Sequence, residues 1–187
     1  MCTVNIFIIE EFNENGIAIT HIDKLMPGNQ LFKEMAAEVD RLEKERYDEI
    51  EAARTSSNRE KDFIITLLEE KPVLDDTNIF TKFITQKSFI QVANAYLGML
   101  TEMRYYNVWH TLKTDAPPKQ SQLWHRDRDD FLITKIFVYL NDVDITAGPF
   151  TYAKGSHRKK KISREPAYHV ESDGTHRTVD EQMNEII

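Results

Sequence analysis

The chain has 187 residues, enough for one domain with a substantial core. Apolar residues make up 41% and charged residues 29%, the balance of a globular protein, and no run approaches the roughly 20 apolar residues of a membrane span. A net charge of −7 does not supply the basic face of a phosphate-backbone binder, so neither a nucleic-acid nor a membrane partner is expected.

The N-terminal "MCTVNIFIIEEF" carries an apolar patch with no basic flank before it and two glutamates after it, which is not the pattern of a signal peptide. Cys2 is the one cysteine, so an intrachain disulfide is excluded and a cytoplasmic setting is expected. "NGIAITHID", Asn15 to Asp23, reads as a turn followed by a short alternating strand. A helix follows from Asn29, its candidate cap, to about Arg54, with Leu31, Met35, Val39 and Leu42 at three- and four-residue spacing. Its second half is very polar, and "TSSNREKD" breaks it. "DFIITLLEEKP" is a short apolar segment closed by Pro72. A second helix runs from about Asn78 to Tyr96, with a break near Gln86 to Ser88 and Gly98 as its stop.

The texture then changes. Met99 to Thr114 is rich in aromatic and β-branched residues and reads as a strand or hairpin arm. Phe131 to Val143 is the strongest strand pattern in the chain, and "FTYAK" is another short one. After Gly155 the chain is polar; "EPAYHVESDGTHR" reads as loop and "TVDEQMNEII" as a short helix. Helices in the first half (about 1–98) and strands in the second (about 99–187) predict a single α+β domain, helices packed outside a sandwich or barrel.

The chemistry is concentrated in "SQLWHRDRDDFLITKIFVYLNDVD". In a strand, residues i and i+2 point to one face, so His125 and Asp127 can converge on one metal. A neutral imidazole and a carboxylate suit Fe(II), and two histidines with one carboxylate form the facial triad of non-haem iron oxygenases. A plain polar strand edge has the same spacing. Lys135 lies inside the apolar strand, where an unpaired ammonium is costly. It either reaches solvent at an edge or meets a carboxylate, with Asp127 one candidate.

The wider context carries a resemblance. "WHRD", then "TKIFVYLNDVD", then "AGPFTYAKGSH" resemble the bacterial branch of the phytanoyl-CoA dioxygenase family of Fe(II)/2-oxoglutarate oxygenases, nearly continuously from about Asn107 to Arg158. The resemblance implies a double-stranded β-helix (jelly-roll) core. It implies catalytic, iron-ligating His125 and Asp127, with a distal histidine as third ligand. It implies 2-oxoglutarate as cosubstrate, with Asn107 and Lys135 as candidates to touch it. The activity implied is oxidation, usually hydroxylation, of a small organic molecule.

The family's distal histidine and the arginine that pairs with the far carboxylate of 2-oxoglutarate have no matching segment. Of the later histidines, His157 falls in "GSHR", a turn in the family, while His169 and His176 lie in polar contexts without a strand pattern. His176, followed by Arg177, is the better candidate for third ligand, against an ordinary loop histidine. The expectation is a chain lacking its last core strands, with both missing residues beyond Ile187. His21 and His110 read as core or edge histidines, Asp129 and Asp130 as a solvated turn. "HRKKK", His157 to Lys161, reads as a solvated loop or a site for an anionic substrate. Two other functions fit the same residues: a non-catalytic remnant that binds metal weakly or not at all, and a cupin-like hydrolase or isomerase using another divalent metal.

Overall fold

The computed structural model describes residues 3–28, 30–55, 63–68, 72–113, 117–127, 132–157, 168–170, 174 and 176–187. Asn29, most of the "TSSNREKD" break, Asp129, Asp130, Phe131 and the lysines of "HRKKK" fall outside them. Seven α-helices and two small antiparallel sheets among the described residues make the chain α+β. None of these helices is long and apolar enough to cross a membrane.

The N-terminal patch is helical. Helix α1, Thr3–Asn15, has no proline or glycine and packs on the helix Lys87–Leu97, with Ile8 buried and Phe12 against Tyr96 at 4.8 Å between ring centroids. Gly16 ends it at φ 75°, its N–H donating to Phe12 O at 3.0 Å. Onto this end docks the Gly155-Ser156-His157 turn, through a bond from Gly155 N–H to Asn15 O of 2.6 Å. A Cβ on residue 16 would stand 2.4 Å from His157 Nδ1 and 2.5 Å from Tyr152 Oη. Gly16→Ala is therefore expected to destabilise the protein by about 1–3 kcal/mol, from the positive φ and the clash together. Urea unfolding reads this, and an unchanged midpoint would refute the packing described.

The strand expected over Asn15 to Asp23 does not form. His21 instead caps α2, Ile22–Leu25, with its Nδ1 accepting from Asp23 N–H at 3.3 Å, and this local bond competes with extension. The long helix divides into α3, Gln30–Glu45, and α4, Tyr47–Thr55, at Arg46. The hydrogen bonds continue across it, and the Arg46 guanidinium donates to Thr66 O, which fastens the helices to β1, Ile64–Thr66. On the solvent face of α3, Arg41 holds the Glu38 carboxyl below the usual carboxylate range.

The second helical segment is α5, Ile79–Ile84, and α6, Lys87–Leu97. Asn78 caps α5 by accepting from Phe80 and Thr81 N–H. The expected break falls at Thr85 and Gln86, where the Thr85 hydroxyl donates to Thr81 O at 2.7 Å. Gly98, at φ 69°, closes α6. The core lies between these helices and β1: Phe83 and Ile65 are each 1% exposed, and Phe83 meets Phe32 and Phe89.

The β half differs most from expectation. The arm over Met99 to Thr114 reduces to β2, Trp109–Thr111, which pairs antiparallel with β1. Residues 132–143 carry no strand ladder, nor do residues 150–154. A strand needs a partner for its backbone groups, and here the contact is made by side chains: Phe137 stacks on Phe150 at 4.4 Å, and Tyr139 Oη accepts from Phe150 N–H. The polar segment expected as loop instead contains β3, His169–Val170, and β4, His176–Arg177, paired antiparallel. The short C-terminal helix forms as α7, Asp180–Met183.

Candidate metal and anion site

Residues 117–127 run beside β4. Trp124 and Thr178 form an antiparallel bridge with both N–H···O bonds at 3.0 Å, and the Trp124 indole N–H donates to Asp180 Oδ1 at 2.6 Å. His125 follows Trp124 and Arg177 precedes Thr178, so the bridge sets these two next to each other across the pair. The segment carrying the His-x-Asp pair is thus fastened to the chain's last strand and helix.

His125 Nδ1 lies 2.7 Å from Leu123 O. A carbonyl only accepts, so Nδ1 is the donor, and in the neutral ring Nε2 keeps its lone pair. This is the arrangement in which an imidazole serves as a metal ligand. Nε2 stands 3.6 Å from Asp127 Oδ1, too far for a hydrogen bond. Two donors about 2.1 Å from one ion and cis to each other lie about 3.0 Å apart, so a small side-chain rotation brings the pair to ligand spacing. The two residues fit two positions of a metal centre. The described residues contain no group of three or more His, Cys, Asp or Glu that could hold an ion. His176 lies flat on Tyr168, ring centroids 4.1 Å apart and planes 8° from parallel.

Lys135 reaches the pair. Its ammonium donates to Asp127 Oδ2 at 2.7 Å, with the two side chains 32% and 43% exposed. Both readings open for Lys135 have support: the residue is exposed, and its ammonium meets a carboxylate. Asn107 lies just before β2, where its side-chain oxygen accepts from Val108 N–H at 2.7 Å. His157 belongs to the turn packed on α1. His110 joins Glu43 at 2.7 Å, tying β2 to α3.

Arg177 was not singled out by sequence reasoning. It is 9% exposed, and among the described residues no group hydrogen-bonds its Nε or Nη1, both of which are buried. Buried guanidinium N–H groups without an acceptor are costly, and a planar guanidinium suits a carboxylate or phosphate. Such an anion would lie near the segment that carries His125. The one signal in sequence was adjacency to His176.

Comparison of the chain with family models, curated proteins and solved structures finds no match.

Proposed function

We propose that the protein is an Fe(II)/2-oxoglutarate-dependent oxygenase of the phytanoyl-CoA dioxygenase type that oxidises a small organic substrate. The observation that carries this reading is the convergence of His125 Nε2 and Asp127 Oδ1, with Nδ1 of the same ring engaged by Leu123 O. The buried Nε and Nη1 of Arg177, which no group among the described residues hydrogen-bonds, support it further and make the guanidinium a candidate partner for the far carboxylate of 2-oxoglutarate. Fe(II), when bound, supplies the open positions at which 2-oxoglutarate and oxygen meet. The overall reaction would convert 2-oxoglutarate to succinate and carbon dioxide, with one oxygen atom of O2 in succinate and the other in the hydroxylated product. The jelly-roll core belongs to this proposal and rests on the sequence resemblance, since residues 132–143 carry no ladder. His176 is the candidate third ligand, and it would have to leave Tyr168 to serve.

A second reading is favoured by the ion pair of Asp127 with Lys135: a non-catalytic protein of the same descent, in which the carboxylate is already neutralised. Anaerobic addition of Fe(II) and then 2-oxoglutarate separates the two. The oxygenase is expected to develop the weak visible charge-transfer band of the chelate and to release succinate on exposure to oxygen. Absence of both would refute the oxygenase reading. Metal binding without succinate would favour a cupin-like enzyme using another divalent ion.

A further inference from the structure

The two oxygens of Asp127 are assigned to different neighbours: Oδ1 faces His125 Nε2, and Oδ2 accepts from Lys135 Nζ. Resting on the metal reading above, we infer that Lys135 is a positioning residue that makes Asp127 a one-oxygen ligand. A carboxylate free to turn about its Cβ–Cγ bond offers a metal either one oxygen or both. With Oδ2 held, only Oδ1 remains on the side of His125. A second carboxylate oxygen on the ion would fill a position that a facial site keeps for other ligands. An ammonium suits the task because it donates several hydrogen bonds and accepts none, so it cannot itself ligate.

Two effects oppose each other when a cation sits behind a metal ligand. Repulsion between ammonium and dication favours removing the lysine. Loss of the bond that orients the carboxylate favours keeping it. Both side chains are about a third or more exposed, so water and salt screen the repulsion. Loss of a hydrogen-bond partner behind a metal ligand costs about 10–100-fold in metal affinity. Orientation therefore outweighs repulsion.

The test is calorimetric titration of the whole chain with Mn(II), with Co(II) absorption as a second readout. Lys135→Met is expected to weaken Mn(II) binding at least about tenfold and to change the intensity of the Co(II) bands as the coordination number changes. Lys135→Arg, which keeps charge and donors, is expected to restore the wild-type affinity and spectrum. Lys135→Gln, which keeps a donor without charge, is expected to fall between Lys135→Met and wild type. Binding in Lys135→Met that equals or exceeds wild type would overturn the inference, as would failure of Lys135→Arg to rescue. If wild type binds Mn(II), His125→Ala does not, and Lys135→Met matches wild type, the inference on Lys135 fails alone. If neither wild type nor any variant binds, the metal reading and this inference fail together.

Discussion

His125→Ala is expected to abolish metal binding and succinate formation together, while the fold is retained. The fold should survive because the imidazole is still partly exposed and its one close bond among the described residues, to Leu123 O, contributes about 1 kcal/mol. The metal should not survive. Without Nε2 the His-x-Asp pair keeps only its carboxylate, and that carboxylate is already shared with Lys135. Losing an orienting neighbour of a ligand costs about 10–100-fold in metal affinity, so losing the ligand itself is expected to exceed about 100-fold. Asp127→Asn should fall short of this, because the amide oxygen still reaches the ion while the charge is gone. Mn(II) calorimetry together with a circular dichroism spectrum reads both halves. A His125→Ala protein that binds Mn(II) within about threefold of wild type would remove the pair from the site.

The parts of the fold legible in the sequence are those decided within a few residues. The Asn78 start, the Thr85–Gln86 break and the Gly98 stop follow from side-chain caps and one positive φ, which act locally. The apolar spacing of Met35 and Val39 follows from helix period, and both are buried. The β half was harder because a strand exists only with a partner. Phe131 to Val143 has the strongest strand composition, yet its described residues carry no ladder, and Leu132, Ile136 and Tyr139 are 60%, 48% and 51% exposed. Strand propensity reports packing on a pleated surface, and does not by itself supply the neighbouring strand. β3 and β4 are the reverse case. In "THRTV" the exposure runs His176 out, Arg177 and Thr178 in, Val179 out, with no alternation for a period-two reading to find. β3 and β4 pair locally, while the bridge from Thr178, beside β4, to Trp124 joins residues distant in the chain.

The same limit governs the candidate site. His125 and Asp127 were readable because i and i+2 are neighbours in any extended segment, and Lys135 because an ammonium in an apolar run calls for a partner. Arg177 was not readable, because its burial depends on the β3–β4 pair and on the bridge to Trp124.

Arg177→Met gives the second large effect, and its two consequences have opposite signs. In the ligand-free protein the guanidinium is buried with Nε and Nη1 unmatched among the described residues, a cost that a methionine of similar length avoids. Replacing buried charge by apolar volume is often neutral or stabilising, so the melting temperature of the free variant is expected to equal or exceed that of wild type. Ligand response should move the other way. A carboxylate held by the fork stabilises wild type by about 2.7 kcal/mol at a hundredfold excess over its dissociation constant, which for a chain of this size is roughly 5–10 °C. Arg177→Met is expected to lose that shift with 2-oxoglutarate and with succinate. Arg177→Lys, a point charge without the fork, should keep only part of it. Thermal melts of the three proteins with and without each acid, at fixed ionic strength, decide the matter. If 2-oxoglutarate stabilises Arg177→Met as much as wild type, the anion lies elsewhere. If the free variant melts well below wild type, the guanidinium has a structural partner, and its burial is no sign of a ligand.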